Sequence, residues 1–484
     1  MPAAKPPAHG RSMRLLPQHL LPVLLLLLAA CAPQAPQGAD ELRDHARGMN
    51  LLLVVLDAAN AEHFSFMGYE RATTPNIDRL AAEGVVFRSA WSQASATPLS
   101  MYSMMTSRYP ILSADEFVET GELAAVIPPT LPTLASWASQ RYDARGAFVA
   151  NRWMREELGF HHGWSSFEKI YDQVPLTDLP VPANLVTDSF ASWLDGNPGS
   201  PWLAWLHYLE PHDPYTPPEP WASRFDPSVR GFTDGTSESL GPWREEIPGD
   251  DLRRNTIALY DGNLAFADAE FGRVVQDLKE RGEWDRTIVV LTSDHGEAFW
   301  EHGVRGHGLH VYEEFVHVPL IVRVPGLAPR SVEGAVELVD LVPTLLDLAD
   351  VFVPVGSAAG QSLVEVLTGE SRPSDIAFAR NHRNGFIEVG VRRGPLKYHA
   401  MLQEKRVELY NLDADPAEQH NLIPMDEPLR GDLRTLAIGM QDLVDQWIEG
   451  GNGTGDGFDP ALTGADSLDA DTIEALRAIG YFGN

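Results

Sequence analysis

The sequence predicts an α/β core over residues 49–350, with a central, mostly parallel sheet flanked by helices, and a small α+β subdomain over 351–450. Three observations predict it: short continuous apolar runs, amphipathic helical segments between those runs, and shorter mixed segments after residue 351. Strands buried on both faces of a parallel sheet read as unbroken apolar runs rather than as alternation.

The chain opens with a segment outside this plan. Basic residues Lys5, Arg11 and Arg14 precede an apolar run from Leu20 to Leu28, and Leu28-Ala29-Ala30-Cys31 follows. That layout predicts a signal peptide over 1–30. The run is shorter than the roughly 20 apolar residues of a membrane span. Its last four residues resemble a bacterial lipobox, which implies a lipid anchor on Cys31, the one cysteine of the chain. The expected location is the cell envelope, facing periplasm or exterior, with Ala32 after the cysteine favouring the outer membrane. Residues 31–48, rich in Ala, Pro, Gln and Gly, are expected to be a flexible tether.

Leu51–Leu56 is the first apolar run, ending before Asp57. Thr74-Pro75 opens a helix that stops at Gly84, with a capping Thr, Pro at the first position and Gly as terminator. Trp202–Leu206 is the second run and ends before His207. Tyr260, Leu264, Ala267, Phe271, Val275 and Leu278 recur at helical spacing and stop near Gly282. Thr287–Thr292 is the third run, before Ser293-Asp294-His295, and Leu320–Val324 is the fourth, before Pro325-Gly326. Polar residues thus gather beyond the carboxyl ends of buried strands, where open α/β sheets place ligands. Phe386–Val391 and Arg406–Tyr410 supply strands of the small subdomain. Residues 451–484 are expected to be a mobile acidic tail closing in a short helix over 472–480.

Charge narrows the function. With 37 basic and 68 acidic residues the net charge is −31. A nucleic-acid backbone is excluded as partner, and cation binding is favoured. With Cys31 taken by the anchor, neither disulfides nor a cysteine nucleophile are available to the body of the protein. Asp57, Asp294 and His295 combine carboxylate and imidazole, a donor set suited to a divalent metal ion.

Six segments in order carry a resemblance. They are VVLDAANAEHFSFMGYERATTPNI from Val54, TPLSMYSMMTSRYP from Thr97, LAWLHYLEPHDPYTPP from Leu203, VVLTSDHGEAFWEHG from Val289, VELVDLVPTLLDL from Val336 and ELYNLDADPAEQHNL from Glu408. Together they resemble the sulfatase family of the alkaline phosphatase superfamily, over about residues 50–425. The resemblance implies an alkaline phosphatase-like core and a metal ion, Ca, Mn or Zn, held by Asp57, Thr97, Asp294 and His295. It implies Thr97 as nucleophile, with His212 and His307 as catalytic residues near the transferred and leaving groups. His207, His302, His310 and Lys397 are further candidates on the same grounds. The implied substrate is a small-molecule, glycan or lipid ester.

The sequence departs from the family pattern at points that bear on the chemistry. True sulfatases place Cys or Ser where Thr97 stands, and oxidise it to formylglycine. Thr cannot make that group, and the family's Arg is Met101 here. The second metal-binding Asp is Ala58, and Asn60 stands where relatives often have Arg. Asn151-Arg152-Trp153-Met154 replaces a Gly-Lys-Trp-His element, leaving Arg152 as its one cation. These changes favour a phosphate ester and a directly acting Thr hydroxyl over a sulfate ester. Two other functions are compatible with the sequence: an envelope phospho-headgroup transferase, and an inactive binding protein that keeps the fold.

Overall fold

Each apolar run forms a strand. A computed structural model describes Met1 and residues 36–110, 126–174, 181–199, 201–226, 231–383, 386–402, 404–423 and 431–449. The signal segment, Cys31 and the tail from 451 lie outside the described residues.

The strands of the large sheet are β1 (Asn50–Leu56), β2 (Val85–Trp91), β3 (Ala144–Val149), β4 (Ser166–Lys169), β5 (Trp202–Tyr208), β6 (Thr287–Ser293), β9 (His317–Arg323) and β10 (Arg330–Glu337). A two-stranded ribbon of β7 (Ala298–Phe299) and β8 (Arg305–Gly306) interrupts that order. The sheet runs β10-β2-β9-β6-β1-β5-β3-β4. Its pairings are parallel except those of β9, which opposes both β2 and β6. This corrects one expectation: the fourth apolar run points the other way, so Pro325-Gly326 lies at the edge opposite the site.

Flanking helices include α1 (Ala39–Ala46), α2 (Pro75–Glu83), α3 (Thr97–Thr106), α4 (Ala183–Gly196), α5 (Asp250–Glu280) and α6 (Leu341–Leu348). Helix α5 packs against α2 and α4. Its start at Asp250 is a full ten residues earlier than the apolar periodicity alone marks. Helix α1 corrects the tether expected over 31–48 for residues 39–46, while 31–35 lie outside the described residues. Leu42 and Ala46 are buried, and Arg43 Nε donates to Asp347 Oδ1 at 2.8 Å. The Ala- and Gly-rich composition suggested a linker, but Ala39, Leu42 and Ala46 share one helical face that docks beside α6.

The C-terminal subdomain is an antiparallel meander of β11 (Ile376–Arg383), β12 (Phe386–Arg393), β13 (Leu396–Met401) and β14 (Arg406–Asn411), with α7 (Gly431–Glu449) across β12 and β13. Phe378, Val391, Leu409 and Trp447 form its core. No helix among the described residues is long and apolar enough to cross a membrane.

Register sets the site. In the β6-β1-β5 triplet, Leu56 lies opposite Ser293 on one side and Tyr208 on the other. The next residues, Asp57 and Asp294, therefore leave adjacent parallel strands at the same level, about 4.8 Å apart in backbone terms.

Candidate active site

Asp57, Asp294 and His295 are fully buried and offer ligand atoms that all lie within 4.8 Å of one another. The chain turns sharply after Asp57. Ala58 adopts φ +57°, a left-handed conformation that costs a residue with a Cβ. That turn aims the Ala58 N–H at Asp294 Oδ1, 3.1 Å away, while the Ala58 carbonyl accepts from the Tyr260 hydroxyl at 2.9 Å. Asp294 Oδ1 also accepts from the His295 N–H at 2.9 Å, whereas Asp294 Oδ2 has no hydrogen-bond partner among the described residues.

Thr97 is the first residue of α3 and is 3% exposed. Its hydroxyl lies 3.3 Å from Asp57 Oδ1 and 3.1 Å from His295 Nε2. The other ring nitrogen of His295 is 2.9 Å from the Gly296 carbonyl oxygen. A carbonyl only accepts, so Nδ1 carries the hydrogen and Nε2 presents its lone pair to the cluster, as a metal-binding imidazole requires.

The cluster fits a divalent cation. Burial, then the neighbouring Asp294 carboxylate, pushes the Asp57 carboxyl well above its ordinary range. Two buried carboxylates in contact need a cation or a proton between them. Asp294 Oδ2, without a hydrogen-bond partner among the described residues, and the lone pair of His295 Nε2, which faces the Thr97 hydroxyl, supply the donors. Asp57, Asp294 and His295 would hold the ion, with Thr97 Oγ1 beside them.

A row of imidazoles extends from this cluster. His295 and His307 have ring centroids 4.7 Å apart, and His307 and His212 are 4.5 Å apart. His212 Nδ1 donates to the Asp213 carbonyl oxygen. His307 Nδ1 meets Glu297 Oε1 at 3.2 Å. Burial above all lowers the His307 pKa well below the usual histidine value, while burial raises Glu297 to about 7. Burial thus favours the neutral imidazole at His307, with the Glu297 carboxyl behind it. His207, inside β5 rather than beyond it, stands 3.7 Å from Asp57 Oδ2, with neither ring nitrogen hydrogen-bonded among the described residues.

Other candidates are placed elsewhere. His302 pairs with Glu314 at 2.7 Å, and His310 with Glu388 at 2.9 Å. Lys397 is fully buried between Glu313 and Glu418, 3.0 Å from each, where it ties the subdomain to the core. Arg152 donates to the Tyr171 carbonyl at 2.7 Å and lies beside Asp172. Met101 is buried in α3. Two contributors escaped the sequence reading. Asn151 Nδ2 donates to Asp57 Oδ2 at 2.6 Å, so the residue preceding Arg152 is the one that reaches the cluster. Glu297, two residues after His295, backs His307.

The family model described as Sulfatase matches residues 49–351, and the one described as N-sulphoglucosamine sulphohydrolase, C-terminal, matches residues 301–435. Arylsulfatase K of Mus musculus is 34% identical over 184 residues, 35% of this chain and 32% of that protein. The match thus spans about a third of that relative's length. A solved protein in complex with its substrate D-glucosamine-2-N,6-O-disulfate superposes with a TM-score of 0.68 at 20% identity, over 86% of this chain and 100% of that one. Phosphonate monoester hydrolase of Agrobacterium radiobacter gives 0.64 at 22% identity, over 83% and 96%. At these identities the likeness of the solved structures is one of fold.

Proposed function

This chain belongs to the sulfatase family, and we propose that it is a metal-dependent hydrolase of phosphate or sulfate esters, acting outside the cytoplasm with Thr97 as nucleophile and with phosphate the preferred ester. The observation that carries this reading is the Thr97 hydroxyl, held 3.3 Å from Asp57 and 3.1 Å from His295 in a buried donor cluster.

As the Thr97 hydroxyl gives its proton to Asp57 Oδ1, 3.3 Å away, its oxygen attacks phosphorus in line. A bond from Thr97 Oγ1 to phosphorus forms as the bond to the leaving alkoxide or aryloxide breaks. Water then hydrolyses the Thr97 ester, releasing phosphate and restoring the hydroxyl. A divalent cation held by Asp57, Asp294 and His295 would lower the hydroxyl pKa and offset charge on the phosphoryl oxygens. Thr97 begins α3, so the positive end of the helix faces the developing charge. Asn151 fixes the Asp57 carboxylate, and the Gly296 carbonyl fixes the His295 tautomer. His307, with Glu297 behind it, and His212 are positioned to exchange a proton with the leaving group.

Thr97 argues for phosphate over sulfate because it cannot become formylglycine. The carboxylate–imidazole set suits Mn or Zn somewhat better than Ca. Export and anchoring through Cys31 rest on the sequence of residues 1–31. The test is a metal-by-substrate screen of the chelated and reloaded protein, using aryl sulfate, aryl phosphate and aryl phosphonate and phosphodiester probes. The expected result is Mn- or Zn-restored turnover of phosphorus esters. Turnover of the aryl sulfate alone would overturn the ester preference.

A further inference from the structure

An anionic ester approaching this site meets a strongly acidic neighbourhood. Asp57, Asp294 and Glu297 are fully buried there, and Asp213 flanks His212. Several cations of the chain are already committed. Arg305 is bound to Asp213 at 2.6 Å, Arg152 turns to Tyr171 and Asp172, and Lys397 is neutralised by Glu313 and Glu418. Thr97 itself touches Asp57 and His295, with no Lys or Arg side chain among its hydrogen-bond partners in the described residues.

Arg244 is not among them. It is exposed, and its guanidinium makes one hydrogen bond among the described residues, from Nη2 to the His307 carbonyl oxygen at 3.3 Å. No carboxylate of the described residues pairs with it. Its Nη2 lies 4.0 Å from where a Cβ on Gly306 would sit, and Glu297 Oε1 lies 3.7 Å from the same point.

The segment that carries Arg244 is fastened to the site wall. The Tyr215 N–H donates to the Gly235 carbonyl at 2.8 Å, Ser237 Oγ to Asp213 Oδ1 at 2.6 Å, Trp300 Nε1 to the Trp243 carbonyl at 2.7 Å, and the Arg305 N–H to the Arg244 carbonyl at 2.8 Å. Gly235 permits the first of these contacts. It adopts φ +81°, and a Cβ there would sit 1.9 Å from the Tyr215 carbonyl oxygen. Residues 235–244 are therefore clasped to both the His212 loop and the His307 loop. An arginine on a loose surface loop has no fixed target, whereas this backbone is set beside the imidazole row and leaves the guanidinium free for a ligand.

We propose that Arg244 is a specificity-determining residue that reads a second negative charge on the substrate, so that the preferred ester carries an anionic group, a carboxylate or a further phosphate or sulfate, on the part that is not transferred. This rests on the reading of the site as a centre for anionic esters. Binding is measured rather than turnover, so failure of the nucleophile assignment and failure of this proposal are distinguishable.

Methylphosphonate and a series of ω-carboxyalkylphosphonates of two to four carbons are titrated calorimetrically into the Mn-loaded protein and its Arg244→Gln variant. The expected result is that one member of the series binds about tenfold tighter than methylphosphonate, the gain of one charge-assisted hydrogen bond. That gain disappears in Arg244→Gln, while methylphosphonate itself binds the two proteins within about twofold. The proposal is overturned if no chain length outbinds methylphosphonate in the wild type, if the gain persists in Arg244→Gln, or if both ligands lose affinity together.

Discussion

Asn151 reaches Asp57 Oδ2 at 2.6 Å and is 7% exposed, so the carboxylate that would bind metal is oriented by an amide and not by a cation. Outer partners of this kind tune affinity by fixing ligand geometry. Asn151→Ala should lower divalent-metal affinity by about 10–100-fold while leaving the fold intact. Titration with a metal indicator checks this, and unchanged affinity would remove Asn151 from the site. At this scale the sequence was partly legible. Asp57, Thr97, Asp294 and His295 stand directly after apolar runs or inside family-like segments, and the structure does bring them together. Asn151 was not legible, because an Asn beside an Arg and a Trp draws the eye to the charge. Lys397 was a candidate through the family resemblance alone, and two buried glutamates claim it.

The element scale shows how the loop after β6 is held. His307 turns into the imidazole row, and three residues later His310 Nδ1 meets Glu388 Oε1 on β12 at 2.9 Å, while His399 Nε2 on β13 meets Glu388 Oε2 at 3.0 Å. Burial alone would raise the Glu388 pKa, but the hydrogen bonds from His310 and His399 outweigh it and hold the carboxyl at about 2, against an ordinary 4.5. The folded state thus binds this proton less readily than the unfolded chain. The contribution is present in full above pH 4.5 and is lost as pH falls toward 2. Its size is on the order of 3 kcal/mol. Urea denaturation of the wild type and Glu388→Gln between neutral and acid pH should show the stability difference shrinking across that window. A constant difference would contradict this role. Most strands were legible as apolar runs, since burial on both faces leaves a one-dimensional signature. The reversal of β9 was not, because an antiparallel strand buried on both faces carries the same signature as a parallel one. Helix α1 was missed because a helix of eight residues leaves little periodicity to read.

For the whole molecule, the family-like segments come from distant parts of the chain, and the sheet order explains why they meet. Strands β6, β1 and β5 are neighbours, so Asp294-His295, Asp57 and His207 emerge together at one edge, and Thr97 enters from the start of α3. The subdomain closes the same edge through Glu388 and the Lys397 ion pairs. The net charge of −31 is consistent with a protein that concentrates a cation at this edge and then needs a fixed arginine, Arg244, to receive an anionic substrate. The claim on which this account turns is that Thr97 is the nucleophile. The most direct test compares turnover of an aryl phosphate by the Mn-loaded wild type with that of Thr97→Ala and Thr97→Ser, with metal content measured in all three. The account predicts that Thr97→Ala loses at least about a hundredfold in kcat while still binding metal, and that Thr97→Ser, which keeps the hydroxyl, retains measurable turnover. Hydrolysis by Thr97→Ala at the wild-type rate would contradict it.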